Sequence, residues 1–146
     1  MQLKNKQSAR ESYLELTRKT SKSFLVDVRS NKEWCDSGIA DFSSEPEKLI
    51  LCEWRKSPSM ELNNDFFTEL TNKLDLTEVE NLYFICAAGI RSEEAAHFTS
   101  SRLIDSGYKI RCINVFDGFS GNRNTFLSFG SITGWKPCGL PCRPFH

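Results

Sequence analysis

A cysteine and an arginine lie near the two ends of a short run of small residues in the middle of the chain. Residues 86–92 read Cys-Ala-Ala-Gly-Ile-Arg-Ser, and the apolar residues 82–85 before them predict a buried strand. A helical pattern begins at Ser92. A strand–loop–helix connection of this kind points backbone N–H groups and the positive end of a helix dipole into one concavity. Because such surroundings favour a thiolate, Cys86 is a candidate nucleophile.

A structural interpretation of the same cysteine stands beside the catalytic one. A cysteine at a strand end is commonly a small buried hydrophobic residue, and a Cys-x4-Arg spacing is weak information by itself. The choice between the two interpretations therefore depends on the rest of the chain.

The charge balance restricts the kinds of partner. Lys plus Arg and Asp plus Glu number 19 each, so the formal net charge is zero. This balance argues against nucleic acid or an anionic membrane as a partner, and any anion site must be local. No stretch approaches the roughly 18 apolar residues of a membrane span, and residues 1–6 lack the apolar core of a signal peptide. We therefore expect a cytoplasmic protein whose six cysteines are free thiols.

Strand and helix patterns alternate along the chain. A length of 146 residues is typical of one domain, here residues 1–146. The first helix is predicted over residues 8–19, because Ser8 and Glu11 have the spacing of a capping box. The alternation predicts an α/β fold with a mainly parallel sheet. Further strands are predicted over residues 23–29, 48–54 and 109–116, and further helices over residues 63–74 and 92–106. A turn is predicted at 38–41, followed near the end of the chain by an irregular tail from about residue 120, anchored by Trp135.

Polar residues at the end of the first predicted strand have two interpretations. Asp27 and Arg29 lie where the carboxyl ends of parallel strands carry functional sites. The alternative, which we favour, is that Arg29 pairs with Glu33 and fixes the following turn.

Several motifs together resemble the single-domain rhodaneses, the sulfurtransferase fold. Residues 25–29 (Leu-Val-Asp-Val-Arg), followed by Glu33-Trp34 and Gly38, look like the first signature of that family. Residues 86–92 look like its active-site loop, and residues 115–119 (Val-Phe-Asp-Gly-Phe) look like its last strand and turn. More narrowly, residues 52–54, 118–121 and 134–141 resemble a subgroup of small cytoplasmic bacterial rhodaneses. The resemblance covers nearly the whole chain and implies a five-stranded sheet flanked by helices.

The resemblance also implies a mechanism. Cys86 would attack the outer sulfur of a small anionic donor such as thiosulfate, become a persulfide and pass that sulfur to a thiophilic acceptor. Arg91 would steer the anion, and the amides of the loop would hold the charged sulfur. No cofactor or metal is implied, and Cys138 with Cys142 is not expected to bind zinc because a structural site needs four ligands. The loop residues that would bind substrate and persulfide are Ala87, Ala88, Gly89, Ile90, Arg91 and Ser92, supported by Asp27, Arg29 and Glu33.

Other functions remain open at this point. A phosphatase of the same fold would have a Cys-x5-Arg loop, and the shorter loop here favours sulfur over phosphate. A rhodanese-like module can also bind or regulate a partner protein without catalysis. A redox sensor would need a second thiol to resolve oxidised Cys86, for which Cys112 or Cys35 is the candidate.

Overall fold

A parallel β-sheet forms the centre of the molecule. The computed structural model describes residues 5–121 and 132–146. Within these ranges five strands form the sheet, namely β1 (Lys6–Gln7), β2 (Ser23–Asp27), β4 (Leu49–Leu51), β7 (Asn81–Ile85) and β8 (Arg111–Val115). Their order across the sheet is β1-β8-β7-β2-β4. Each neighbouring pair is parallel. The predicted α/β class with a parallel five-stranded sheet is therefore confirmed.

Helices cover the sheet, and short antiparallel strand pairs lie outside it. The helices are α1 (Ala9–Leu16), α2 (Asn31–Ser37), α3 (Phe66–Asn72) and α4 (Ile90–Asp105), with 3-10 turns at Pro46–Lys48 and Leu76–Glu78. The outer pairs are β3 (Ile39–Ala40) with β9 (Cys142–Arg143), and β5 (Arg55–Lys56) with β6 (Glu61–Leu62).

The two faces of the sheet bury two hydrophobic clusters. Alternate residues of a strand point to opposite faces, so neighbouring positions of β7 join different clusters. Phe84 packs with Cys86 and with residues of α3 and α4 on one face. Tyr83 packs with residues of α1 and with Trp135 on the other face. Cys86 therefore lies on the face that α4 covers.

Local sequence signals predicted some element ends well and others poorly. The capping box at Ser8 and Glu11 is present, and α1 ends at Leu16, three residues before the predicted end. Helix α4 begins at Ile90, two residues earlier than predicted, because Gly89 in a left-handed conformation (φ +96°) precedes it directly. The predicted turn at 38–41 contains strand β3, which pairs with β9 of the predicted irregular tail.

The C-terminal segment packs onto the domain where it is described. Trp135 is fully buried, as predicted, and its indole N–H donates to the Pro141 carbonyl oxygen at 2.9 Å. The predictions for residues 1–4 and for residues 122–131 of the tail lie outside the described residues. In the described part of the chain, no helix is both long and apolar enough to cross a membrane.

Candidate active site

The Cys86 sulfur lies at the carboxyl end of β7, where the chain turns into α4. Its Sγ accepts hydrogen bonds from the backbone N–H of Gly89 (3.2 Å) and of Ser92 (3.3 Å). The Ser92 Oγ lies 3.2 Å from the same sulfur. Cys86 is 1% exposed and Ser92 is fully buried. The loop thus directs amide hydrogens and the first turn of α4 at one sulfur atom, which stabilises negative charge there.

Glycine at position 89 is required by the backbone. Its φ of +96° is a conformation that residues with a side chain rarely adopt. A methyl group there would also overlap the carbonyl oxygen of Phe116, in the segment after β8. Close packing of these two segments brings the Gly89 N–H within reach of Cys86.

The turn after β8 holds the backbone of the loop from the other side. Phe119 N–H donates to the Cys86 carbonyl oxygen at 2.7 Å, and Ser120 N–H donates to that of Ala87 at 3.0 Å. A methyl group on Gly118 would overlap the Ala87 carbonyl oxygen. The loop is therefore fixed by backbone contacts that most side-chain substitutions would not remove.

The remaining loop residues differ in their exposure. Ala87 and Ala88 are partly buried. Ile90 begins α4 and is 72% exposed. Arg91 and Ser92 lie in the first turn of α4. The side chains of Ala87 and Ala88 carry no charge, and Arg91 is the charged residue among residues 86–92.

Arg91 is paired with Glu33 through both terminal nitrogens. The Nη1–Oε1 and Nη2–Oε2 distances are 2.7 Å and 2.9 Å. Glu33 is also the third residue of α2, where it forms a capping box with Ser30. The helix cap therefore orients the carboxylate that meets the guanidinium of the loop.

This pairing corrects the prediction that Arg29 pairs with Glu33, which was wrong. Arg29 instead turns back to Asp27, with its Nη2 at 2.7 Å from Oδ2 and its Nε at 3.0 Å from Oδ1. Both side chains are 1% exposed. A guanidinium buried this deeply is stabilised by a carboxylate that accepts two hydrogen bonds from it, and Asp27, two residues before Arg29, is such a partner.

Asp27 and Arg29 support the loop from a distance. The Arg29 guanidinium carbon lies 3.9 Å from the centre of the Phe119 ring. Phe119 in turn donates its N–H to the Cys86 carbonyl oxygen. Arg29 Nη2 also donates to the Gly38 carbonyl oxygen after α2. The ion pair thus connects β2, the end of α2 and the turn that holds Cys86.

The Glu33–Arg91 pair shifts the titration of both groups. Burial raises the pKa of Glu33, but hydrogen bonds from Arg91 and Ser30 and the charge of Arg91 outweigh it and lower that pKa to about 2. The hydrogen bond to Glu33 raises the pKa of Arg91 above its usual value, with a further contribution from the neighbouring Cys86 and Asp27. The pair remains ionised across the physiological pH range.

Sequence reasoning missed Asn114, a buried residue of β8. Its Oδ1 accepts from Ser92 Oγ at 2.6 Å, and its Nδ2 donates to the Gly89 carbonyl oxygen at 3.0 Å. Asn114 is 5% exposed. It interrupts the apolar pattern Cys112-Ile113-Asn114-Val115, and a polar side chain inside such a strand needs buried partners. That interruption is the signal by which the residue could have been found.

The other thiols lie away from Cys86. In the strand register Cys112 is opposite Leu82, four residues before Cys86, which corresponds to about 13 Å along the sheet. A disulfide tolerates a Cα separation of about 7 Å, so the structure separates Cys112 from Cys86. Burial also raises the pKa of Cys112 to about 12. Cys35 is exposed on α2 and borders a different cleft, together with Cys142 and Lys136.

The described side chains offer little to a metal. Among residues 5–121 and 132–146, no three His, Cys, Asp or Glu side chains cluster as metal ligands would. His97, in α4, is exposed.

Comparisons with solved structures define the class of fold. A protein from Staphylococcus aureus, described as a rhodanese-like domain protein, has a TM-score of 0.54 at 17% identity, covering 94% of this chain and 93% of its own. The crystal structure of Rv0390 from M. tuberculosis has a TM-score of 0.73 at 28% identity, covering 94% of this chain and 96% of its own. The fold is therefore rhodanese-like. No family model matches the chain.

Relatives found by sequence define the family more narrowly. A Rickettsia conorii protein, described as uncharacterized protein RC0915, is 34% identical over 118 residues, which are 81% of this chain and 80% of that protein. The uncharacterized protein RP600 of Rickettsia prowazekii is 34% identical over 122 residues. The chain belongs to the same family as these rickettsial proteins.

Proposed function

We propose that this protein is a sulfurtransferase of the small single-domain rhodanese type, which carries sulfur as a persulfide on Cys86. The observation that carries the proposal is the geometry at that sulfur. Its Sγ accepts the N–H groups of Gly89 and Ser92 at 3.2 and 3.3 Å, at the start of a 16-residue helix. Donors fixed in advance stabilise an anion without reorganising when the charge forms. A sulfur that alternates between thiolate and persulfide needs such an environment.

The proposed reaction has two steps. The Cys86 thiolate attacks the outer sulfur of thiosulfate, forming an S–S bond and breaking the bond to the sulfonate sulfur, so that sulfite leaves with that electron pair. Cyanide or a thiolate then attacks the terminal sulfur of the persulfide. The S–S bond breaks, thiocyanate or a new persulfide leaves, and the Cys86 thiolate returns. Neither step requires a metal or an oxidant.

The loop amides, rather than a histidine base, hold the charge in both steps. The terminal persulfide sulfur carries the negative charge and would lie over the N–H groups that now bind Sγ. Arg91 adds positive charge beside the loop, but Glu33 balances that charge. We therefore propose that the amides provide most of the stabilisation and that the ion pair sets how strongly an anionic donor is attracted.

The cytoplasm is the compartment in which we place this reaction. All six cysteines of the chain are free thiols in the structure, and the proposed nucleophile works only when reduced. The acceptor is a small molecule or a protein thiol.

A thiocyanate assay tests the proposal. With thiosulfate and cyanide, the reduced wild-type protein should form thiocyanate above the uncatalysed rate, and Cys86→Ser should not. Cys35→Ser is the matched control, because it removes an exposed thiol from α2 and should leave the rate unchanged. Thiocyanate formation by folded Cys86→Ser at the wild-type rate would rule out Cys86 as the carrier.

A further inference from the structure

The Ser92 hydroxyl lies between the Cys86 sulfur and the side-chain amide of Asn114. Its oxygen is 3.2 Å from Sγ and 2.6 Å from the Asn114 Oδ1. Ser92 is fully buried, and Cys86 and Asn114 are 1% and 5% exposed. Because all three side chains are buried, the placement of each hydrogen has an energetic consequence.

The hydrogen of this hydroxyl can be assigned from its neighbours. The Gly89 carbonyl oxygen can only accept, so the amide group of Asn114 that faces it at 3.0 Å is the NH2 group. The Asn114 oxygen then faces Ser92 and also can only accept. A serine hydroxyl has one hydrogen, and at 2.6 Å from this acceptor the hydrogen must point to Asn114.

This assignment fixes what Ser92 offers to the sulfur. The hydroxyl presents a lone pair to Sγ, which suits the neutral thiol because the S–H of Cys86 then donates to Ser92 Oγ. A thiolate or persulfide has no hydrogen on Sγ, and lone pairs would then face each other at 3.2 Å. Relief requires the Ser92 hydrogen to rotate from Asn114 to the sulfur, and Asn114 Oδ1 then loses this donor.

We propose that Asn114 is a positioning residue that controls, through Ser92, the balance between the thiol and anionic forms of Cys86. In the resting protein Asn114 holds the hydroxyl hydrogen and favours the thiol. When the sulfur becomes anionic, Ser92 transfers its hydrogen bond to it at the expense of the bond to Asn114. This inference deepens the proposed function and rests on it for the persulfide state, whereas the thiol balance can be measured independently.

Charged groups around the site are common to all variants of Asn114. Asn114 borders a small cavity together with Glu93 and His97 of α4. The other titratable and charged side chains around the site are Lys6 on β1, in register with Asn114, Cys112 of β8, which lines the same cavity, Arg91 on α4, Glu33 on α2, Asp27 and Arg29 at the end of β2, and Asp117 after β8. Since none of these changes, comparison between variants isolates the amide.

The test is the pH profile of Cys86 alkylation by iodoacetamide, followed at the Cys86 peptide by mass spectrometry. Asn114→Leu removes the competing acceptor at similar volume, so Ser92 donates to the thiolate without loss. Below the midpoint of the profile, Cys86 should react about fivefold faster than in wild type. Asn114→Asp keeps an acceptor and adds negative charge, so Cys86 should react roughly tenfold more slowly at the same pH.

Two controls make the result specific. Asn81→Leu removes another Asn–Ser side-chain hydrogen bond, from Asn81 at the opposite end of β7 to Ser23 of β2, and should leave the profile unchanged. In a Ser92→Ala background, the acceleration by Asn114→Leu should disappear, because the hydroxyl through which it acts is absent.

The proposal predicts that Asn114→Leu speeds the alkylation of Cys86 and that Asn114→Asp slows it. Simple loosening of the site would change the alkylation rate in the same direction in both variants. The proposal is overturned if both folded variants shift the profile in the same direction or by less than about twofold, or if the effect of Asn114→Leu persists without Ser92. Alkylation does not depend on sulfur transfer, so a normal Asn114 effect in a protein that never forms a persulfide would refute the proposed function alone.

Discussion

At the scale of single residues, the charge of the loop is set by Glu33 and Arg91 together. The two carboxylate oxygens meet the two terminal guanidinium nitrogens at 2.7 and 2.9 Å, with side chains 30% and 21% exposed. Arg91 therefore does not present a whole free charge to an incoming anion. A carboxylate at this position also repels a dianion.

Glu33→Gln should improve the use of thiosulfate. Gln keeps the capping box with Ser30, because its side-chain oxygen can still accept from the helix N-terminus, while the negative charge is removed. We expect kcat/KM for thiosulfate to rise about fivefold at low salt, mainly through KM, and the gain to shrink as salt is added. Arg91→Gln should lower kcat/KM by a similar factor.

A donor with a single negative charge provides the comparison for these variants. An organic thiosulfonate transfers its outer sulfur to Cys86 while sulfinate leaves with the electron pair, so it forms the same persulfide as the thiosulfate dianion. Both substitutions should change kcat/KM for this monoanion less than they change it for thiosulfate. Equal effects on both donors would show that the ion pair acts through the shape of the loop and not through its charge.

At the scale of elements, the site depends on how closely β7, α4 and the turn after β8 approach one another. Gly89 directly precedes α4 in a left-handed conformation, and the Phe116 carbonyl oxygen lies against it. Gly107, after the end of the same helix, has a similar φ of +85° but no atom within 4 Å of the position of a Cβ. Alanine substitutions at these two positions therefore distinguish the cost of backbone strain alone from the cost of strain together with steric overlap.

Gly89→Ala should cost more stability than Gly107→Ala, and only Gly89→Ala should lower sulfur transfer. Both variants force alanine into a left-handed conformation, which costs about 1–2 kcal/mol. Gly89→Ala must also separate residue 89 from the Phe116 backbone, which displaces the N–H that residue 89 donates to Cys86 Sγ. We therefore expect a total loss of about 3 kcal/mol or more. Urea unfolding measures the loss of stability, and the thiocyanate assay measures the loss of sulfur transfer. If Gly89→Ala and Gly107→Ala lost equal amounts in each assay, this distinction between the two glycines would be contradicted.

At the scale of the whole molecule, the Glu33–Arg91 pair joins α2 to α4 across 58 residues of sequence. Its contribution to stability depends on pH because the pKa of Glu33 is lowered from 4.5 to about 2 on folding. A lowered carboxyl pKa stabilises the folded protein fully above the unfolded value of 4.5. That stabilisation is lost as the pH falls from 4.5 towards about 2.

The free energy of unfolding of wild type and Glu33→Gln should therefore converge in acid. Near neutral pH we expect wild type to be more stable by about 1–2 kcal/mol. This is less than the whole pKa shift of Glu33 would correspond to, because both side chains contact water and solvent screens their interaction. Urea unfolding at a series of pH values measures the difference. A difference that stays constant as the pH falls below 4.5 would show that the carboxylate does not carry it.

Features set by residues close together in the sequence were predicted correctly, whereas contacts between residues far apart in the sequence were not. The capping box at Ser8 and the strand before Cys86 depend on residues a few positions apart, and both were predicted. Partners across many residues were not: the partner of Arg91 is 58 positions away, and Ser92 and Asn114 are 22 apart. Glu33, four positions after Arg29, was predicted as the partner of Arg29, but the fold pairs Glu33 with Arg91 and leaves Arg29 to Asp27. The roles of residues 86–92 in catalysis stay predictions.

The mass of the intact protein tests the persulfide on Cys86 most directly. Reduced wild type and Cys86→Ser would be incubated with thiosulfate, freed of excess donor and then treated with cyanide. Wild type should gain the mass of one sulfur atom and lose it to cyanide, and Cys86→Ser should show neither change. An equal, cyanide-labile gain on Cys86→Ser, or no gain on wild type with thiosulfate, mercaptopyruvate or a desulfurase persulfide as donor, would contradict the assignment.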